Sequence, residues 1–173
     1  MNGQNYPRHF SHGFTIIEVI VAVAIILILT TIAVVNVMSS QVVARDAERE
    51  EDIRSIAIHF ENYYNDLQFN RPFDPAPTYP HTVPTSDVLA GLDPEAYRAP
   101  GTPSGTNSIV AATNTVTTTA GVLPQPTINQ YVYQPFNISD QLCTDLNGPC
   151  VKYNLYWRSE GDNTIKKIVS RHQ

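Results

Sequence analysis

The sequence predicts an α+β protein in which one long N-terminal helix packs, by its second half, on a small antiparallel β-sheet. The helix is predicted because a long apolar segment runs into a stretch, from Val35 to Leu67, that lacks both Gly and Pro. The sheet is predicted because aromatic and β-branched residues cluster in three short segments after residue 129. A helix followed by neighbouring antiparallel strands is typical of a two-layer α+β domain.

Residues 14–36 form the apolar first half of the predicted helix and contain one ionisable side chain, Glu18. As a helix, residues 14–35 would measure roughly 33 Å, enough to cross a hydrocarbon core of about 30 Å. A carboxylate inside such a span costs on the order of 2.5–3.5 kcal/mol, so it usually has a function and a partner. The alternative is an ordinary anchor whose acid lies among the lipid headgroups.

Residues 37–67 form the amphipathic second half of the predicted helix. Apolar side chains recur there at the i, i+3, i+4, i+7 spacing that brings them to one face. We expect this stripe to pack on a domain. Its members are Ile53, Ile56, Ala57, Phe60, Tyr64 and Leu67.

Residues 45–54 are strongly charged and overlap the start of this stripe. Pairs at helical spacing, Glu50 with Arg54 and Arg45 with Glu48, would each contribute about 0.2–0.5 kcal/mol. Such a run usually forms a solvated face, which is the interpretation we favour. The alternative is that these charges contact neighbouring subunits of an assembly.

Residues 68–173 are predicted to form a small globular head that begins with a proline-rich loop. Five prolines rule out regular helix over residues 71–84. Residues 85–89 and 93–95 each predict a cap with a short turn of helix. Residues 102–119 are rich in Ser, Thr, Asn and Gly, which favours a mobile surface loop and offers candidate hydroxyls for O-linked sugar. An edge strand at 108–112 or 115–119 is the alternative.

Three later segments are predicted to be strands. Residues 130–134 alternate between aromatic and polar side chains, and Pro135 is expected to end that strand. Residues 152–158 and 164–169 are expected to pair as a hairpin through a turn at residues 160–163.

Cys143 and Cys150 are the two cysteines of the chain, and they bracket a turn-rich sequence. A metal site needs more ligands, and a redox pair usually has C-x-x-C spacing. Outside the cytoplasm we therefore expect a structural disulfide, which would contribute roughly 2.5 kcal/mol by closing an eight-residue loop.

The sequence contains no G-x-S-x-G, no H-E-x-x-H and no phosphate-binding glycine loop, so we expect neither an enzyme nor a bound cofactor. His59 and His81 are expected to be surface or boundary residues. A net charge of −5 without a basic stripe disfavours direct nucleic-acid binding. No D-x-D-x-D-G run is present, so no metal site is predicted. The alternative is a calcium site at four oxygen-bearing turn residues: Asp145, Asn147, Asp162 and Asn163.

The N-terminal segment resembles a type IV prepilin. A short hydrophilic leader ends at Gly13, and Phe14 and Glu18 would be the first and fifth residues of the mature chain. This pattern, followed by an apolar helix, is similar to the class III signal shared by type IV pilins and type II secretion pseudopilins. The resemblance is close over about the first third of the chain and extends to the rest in layout. Two departures are a leader with one firm positive charge, Arg8, and Val35 at a position where many family members have a proline.

The resemblance implies that a prepilin peptidase removes residues 1–13 by cutting between Gly13 and Phe14, and methylates the new amino terminus of Phe14. It also implies that Glu18 faces the amino terminus of a neighbouring subunit. The implied partners are further copies of the chain, minor pilins and an inner-membrane assembly platform. Many type IV pilins have a C-terminal disulfide-bounded loop, so Cys143 and Cys150 favour a pilin over a pseudopilin.

The charge of Arg8 favours a cytoplasmic N-terminal side, which would place the C-terminal domain outside the cytoplasmic membrane. The implied function is that of a filament subunit, held in that membrane as a single-pass protein and then moved into an extracellular pilus. Such filaments serve twitching motility, adhesion, DNA uptake or secretion. The alternatives are a type II secretion pseudopilin and a singly anchored extracellular binding domain that does not polymerise.

Overall fold

The computed structural model describes residues 13–65, 77–81, 83–144 and 146–172. The chain divides into two compact units, residues 1–41 and residues 42–173. One long helix, α1 (Ile16–Asn65), begins in the first unit and ends in the second. The described residues that follow contain four strands: β1 (Ile109–Ala111), β2 (Tyr131–Phe136), β3 (Lys152–Arg158) and β4 (Ile165–Val169). This order confirms the predicted α+β, pilin-like layout.

The predicted apolar stripe of α1 forms the core of the second unit. Ile53, Ile56 and Phe60 are fully buried and belong to one cluster with the inward side chains of β2 and β3. Phe60 meets the rings of Tyr133 and Tyr153 edge-on, with centroids 5.0 and 5.5 Å away. Such aromatic pairs contribute about 0.5–1.5 kcal/mol beyond the area they bury. The stripe is confirmed, with Ala57 buried and Tyr64 partly buried, while Leu67 lies outside the described residues.

The sheet has the order β1-β2-β3-β4, and its last three strands are antiparallel as expected. The β3–β4 hairpin occurs where the sequence predicted it. The expectation of a wholly antiparallel sheet was wrong, because β1 pairs with β2 in parallel, with Ile109 opposite Tyr131. Residues 112–130 supply the long connection that a parallel pair needs.

The expectation that Pro135 ends β2 was also wrong. β2 continues to Phe136, and Pro135 lies opposite Tyr153 of β3. The carbonyl of Pro135 accepts a hydrogen bond from the Cys143 amide at 3.0 Å. This bond lies on the side of β2 away from β3 and beyond the short β1. A proline costs the sheet no ladder hydrogen bond at such a position.

Residues 112–126, which we call the cover segment, lie on the face of the sheet opposite α1. Residues 102–119 were expected to be a mobile surface loop, and most of residues 113–119 are exposed. β1 is the strand offered as the alternative at 108–112. The fully buried Gln134 donates to the carbonyls of Asn114 and Val116 at 2.7 and 3.1 Å. The carboxamide of Gln134 therefore supplies the partners that fix the loop, a role its composition did not reveal.

The two short turns of helix predicted after the proline-rich loop are isolated hydrogen-bonded turns. In the first, the Leu89 amide donates to the Thr85 carbonyl at 2.9 Å, and no helix extends from it. In the second, the Asp93 carboxylate accepts from the Glu95 amide at 3.0 Å, which is the predicted capping role. Both predicted short turns are therefore present, and the capping hydrogen bond is observed at Asp93.

The charged run of α1 is solvated on one side only, where Glu48, Glu51 and Arg54 are exposed, so the prediction of a solvated face was correct in part. Arg49 is 1% exposed and pairs with Asp46 and Glu160 at 3.0 and 3.1 Å. Arg45 pairs with Glu160 at 2.6 Å instead of with Glu48. The sequence gives no local sign of this, because Glu160 is on the β3–β4 turn. The exposed Glu50–Arg54 pair was predicted correctly and measures 2.7 Å.

Asp46 attaches this part of α1 to the β3–β4 turn. Its carboxylate accepts from the amides of Glu160 and Gly161 at 2.7 and 2.9 Å, and from the Ser159 hydroxyl at 2.8 Å. Burial raises the pKa of Asp46, but these hydrogen bonds and Arg49 outweigh it and lower the pKa below its usual value. Hydrogen bonds from Arg45 lower the pKa of Glu160 in the same way.

Cys143 and Cys150 form a disulfide in the structure, with their Cα atoms 5.5 Å apart. Asn147 holds the loop between them, since its carboxamide accepts from the Thr144 amide and donates to the Leu142 carbonyl, both at 2.7 Å. The Cys150 carbonyl accepts from the Tyr79 amide at 2.8 Å. The loop is thus tied to the segment that follows the proline-rich region.

Candidate assembly site at the start of the helix

The first turn of α1 is a capping box formed by Thr15 and Glu18. One oxygen of the Glu18 carboxylate, Oε2, accepts from the Thr15 amide and from the Thr15 hydroxyl, both at 2.7 Å. The Thr15 hydroxyl in turn accepts from the Glu18 amide at 3.3 Å. This reciprocal arrangement satisfies amides that a helix start otherwise leaves unpaired, and it places a negative charge where the helix dipole favours one.

The capping box gives Glu18 a partner within its own chain. The sequence pattern T-x-x-E signals such a box, but our sequence reasoning assigned Glu18 a partner on another subunit and overlooked Thr15. A carboxylate has about four acceptor positions, so these two hydrogen bonds leave room for a further donor. Thr15 is therefore the partner of Glu18 that the T-x-x-E pattern indicates and that our sequence-based prediction did not include.

Gly13 and Phe14 precede the helix and are exposed, with Phe14 88% accessible. Neither residue belongs to α1, so the peptide bond between them is not part of a helical hydrogen-bond ladder. An exposed, non-helical peptide bond is the kind of backbone that a peptidase can bind. The predicted cleavage position thus lies one residue before the capping box.

The face of α1 that carries Glu18 is apolar. Val21, Ala22 and Ile25 follow Glu18 at helical spacing and lie on its side of the helix. Together with Ile17 they border a shallow hollow of about 320 Å³ beside the carboxylate. The small side chain of Ala22 leaves space one turn after Glu18.

The apolar side chains of residues 16–34 are exposed in the single chain. Ile25 is 52% accessible and Leu29 is 61% accessible. Thr30 and Thr31, which interrupt the apolar run, donate their hydroxyls to the carbonyls of Ile26 and Ile28 at 2.7 Å each. The hydroxyls therefore find their hydrogen-bond partners within the helix, as polar groups of a segment in hydrocarbon must. Within the described ranges, α1 is the one helix long and apolar enough to cross a membrane.

The other predicted site residues are described within their own unit. Cys143 and Cys150 belong to the second unit. Asn147 closes the disulfide loop, Asp162 accepts from Thr164 in the β3–β4 turn, and Asp145 lies outside the described residues. Across residues 13–65, 77–81, 83–144 and 146–172, no three His, Cys, Asp or Glu side chains form a group suited to a metal ion.

Comparison with protein families supplies the observation that decides the nature of this site. Residues 8–34 match the model of the prokaryotic N-terminal methylation motif. The chain carries the class III signal of type IV pilin precursors. The methylation motif covers the residues before Gly13, the capping box and most of the apolar half of α1, so it coincides with the site described above. No curated protein and no solved structure matches the chain.

The methylation motif is the kind that precursors of type IV pilins and pseudopilins carry. It implies processing by a prepilin peptidase followed by assembly. The motif and the apolar helix together support anchoring in the membrane before assembly.

Proposed function

We propose that this protein is a structural subunit of a type IV pilus-like filament. In this proposal residues 1–13 are a leader, residues 14–36 are the membrane-held half of α1 and later the filament core, and residues 37–67 are its amphipathic half. Residues 68–173 form the head. The observation that carries the proposal is the coincidence of the methylation motif with a capped acid on an exposed apolar helix.

The first step is processing of the precursor. Cleavage between Gly13 and Phe14 creates an amino group on Phe14, which the same peptidase methylates. The exposure of both residues and their position before the helix support this cut. The product has a positive amino terminus immediately before the Thr15–Glu18 capping box.

The second step is storage in the cytoplasmic membrane, with the disulfide-bonded head outside it. An isolated carboxylate costs on the order of 2.5–3.5 kcal/mol inside a membrane span. The two hydrogen bonds from Thr15 offset part of that cost. The capping box therefore keeps Glu18 hydrogen-bonded while the subunit is anchored in the membrane.

The third step is assembly with other copies of the chain. The methylated amino group of a neighbouring Phe14 provides the positive charge that a desolvated Glu18 needs. The hollow beside Glu18, which Ala22 helps to line, offers apolar space for the neighbour's Phe14. Pairing at one charged point sets the register between helices whose remaining contacts are apolar and undirected. The exposed apolar side chains of residues 16–34 then become the packed core.

The test removes the carboxylate and compares it with another acid of the same helix. Glu18→Ala, expressed with the native assembly machinery, is expected to abolish surface filaments while the protein stays at normal level in the membrane. The control is Glu51→Ala, which removes an exposed carboxylate from the second unit and should leave filaments intact. Electron microscopy and immunoblotting of the sheared surface fraction provide the measurements.

Filaments of Glu18→Ala at the wild-type level would contradict the assembly role. A wild-type chain that stays in the membrane with no filament would favour the singly anchored domain. A short filament that forms only with a secretion machinery would favour the pseudopilin.

A further inference from the structure

A cavity of about 370 Å³ opens on the second unit, at the face of the sheet that the cover segment overlies. This volume is within the range of small-molecule sites, about 300–1,000 Å³. Polar groups from three parts of the chain converge on it: the cover segment, β3 and β4. Neither the filament role nor the methylation motif assigns this cavity a function.

Two ammonium groups line the cavity, those of Lys152 on β3 and Lys167 on β4. Lys167 lies opposite Tyr156, four residues along β3 from Lys152. The two lysine backbones are therefore roughly 13 Å apart along the strand at about 3.3 Å per residue. A ligand with acidic groups on two neighbouring units can therefore meet both lysines.

Both ammonium groups can bind a further acceptor. Lys152 pairs with Asp140, whose side chain is 73% exposed, and such an exposed pair contributes only about 0–1 kcal/mol. Lys167 donates to the Thr117 carbonyl at 3.0 Å. An ammonium group has three N–H donors, so each lysine retains donors for a ligand. An incoming carboxylate can therefore compete with Asp140 and add to the contact of Lys167.

The neutral part of the lining is rigid and rich in hydrogen-bonding groups. Asn154 is buried, and its carboxamide donates to Gln134 at 3.0 Å. Gln134 is fixed in turn by the cover segment, which also contributes Thr115 and Thr117 to the cavity. Hydroxyls and amides held in place on a rigid sheet suit a ligand that carries many hydroxyl groups.

Phe136 and Val169 give the cavity an apolar wall, which suits the C–H faces of a sugar ring. Nucleic acid is a poor match, because two cations on a chain of net charge −5 do not form a basic stripe. We propose that this cavity binds an acidic saccharide of at least two sugar units, with carboxylates at Lys152 and Lys167 and hydroxyls toward Thr115, Thr117 and Asn154.

The test measures binding of three probes to the full mature chain in neutral detergent by isothermal titration calorimetry. The probes are digalacturonic acid, the neutral disaccharide maltose, and inorganic phosphate. Digalacturonic acid is expected to bind saturably, and about tenfold or more tighter than either other probe, because charge-assisted hydrogen bonds are lost with maltose.

Lys152→Gln and Lys167→Gln are each expected to weaken binding of digalacturonic acid about tenfold. Lys166→Gln is the matched control, because Lys166 is also on β4 but lies near Glu50, 3.8 Å away, and does not line the cavity. It should bind within about twofold of wild type. If a lysine variant does not fold, amide NMR shifts of the wild-type chain decide the matter, with the largest changes expected at Thr115, Thr117 and Asn154.

No saturable binding of digalacturonic acid would overturn the proposal. So would equal affinity for phosphate, unchanged binding in both cavity variants, or shift changes confined to another part of the head.

Discussion

The two compact units of this chain treat the same kind of side chain in opposite ways. In the first unit, isoleucines and leucines of α1 are about half exposed or more, as Ile25 and Leu29 show. In the second unit, Ile53 and Ile56 of the same helix are fully buried among tyrosines. The second unit completes its own core, whereas the first has apolar surface that lipid or other subunits must cover.

Acidic side chains show the same contrast. Glu18 in the first unit depends on Thr15, three residues away, and remains exposed. Asp52 and Glu61 in the second unit are buried and accept hydrogen bonds from tyrosine hydroxyls of distant segments. The difference indicates that tertiary contacts satisfy the acids of the second unit, and that Glu18 can still gain a partner from outside.

The strongest test of the second unit's self-sufficiency is Arg49→Met. Removal of Arg49 leaves the partly buried carboxylates of Asp46 and Glu160 without this cation, which is expected to cost about 3 kcal/mol in the free energy of unfolding. Thermal melts in neutral detergent, followed by near-UV circular dichroism, measure this. In the mature chain every Tyr and the one Trp lie after residue 42, so this signal reports the second unit.

The control for that experiment is Arg54→Met. Arg54 is exposed and pairs with Glu50, so its loss should change the free energy by about 0.5 kcal/mol or less. Equal effects of the two substitutions would show that the buried network does not stabilise the unit.

Substitution of three isoleucines of α1 tests whether burial, and not residue type, determines the loss in the free energy of unfolding. Ile56→Ala is expected to cost about 2–5 kcal/mol, because a fully buried side chain leaves a cavity. Ile58→Ala, at a side chain 57% exposed, and Ile25→Ala, in the first unit, should leave the near-UV melt within about 0.5 kcal/mol of wild type. A large loss from Ile25→Ala in this melt would contradict the division into two units.

Asp52 is expected to make the stability of the second unit depend on pH. Burial raises the pKa of Asp52 to about 7. The hydrogen bond from the Tyr131 hydroxyl at 2.8 Å acts in the opposite direction and lowers the pKa, but by less. A raised carboxyl pKa means that the folded state binds the proton more tightly than the unfolded state, whose pKa is about 3.9. The contribution of Asp52 to stability is therefore largest in acid and falls as the pH rises toward 7.

Asp52→Asn should remove this dependence. At pH 8 it should raise the free energy of unfolding above that of wild type by on the order of 1–4 kcal/mol. Melts at a series of pH values from 5 to 8 measure the slope. Asp87→Asn, which changes an exposed acid, should keep the wild-type slope. A wild-type slope in Asp52→Asn would show that another group titrates.

The sequence was sufficient for those features that depend on neighbouring residues. The absence of Gly and Pro predicted α1, the helical spacing predicted its buried stripe, and alternation predicted β3 together with its hairpin to β4. The cleavage position and the assembly role of Glu18 also come from a short local pattern and stay predictions, and the hydrogen bonds of Thr15 could have been predicted from the same pattern.

The features that the sequence did not predict depend on residues far apart in the chain. Arg49 can be buried because its guanidinium pairs with Glu160, on a distant turn, and donates to the Ile128 carbonyl. The cover segment is ordered because Gln134 binds its carbonyls. β1 is parallel to β2 because of the path that residues 112–130 take. Local propensity does not predict such pairings between distant residues.

The central claim is that the apolar first unit begins at Phe14 and joins a filament after processing. Mass spectrometry of the protein purified from its native host tests this most directly, by measuring the N-terminal peptide. We predict a chain that lacks residues 1–13 and begins with Phe14 carrying one additional methyl group. A chain that retains the intact leader up to Gly13 would contradict the account.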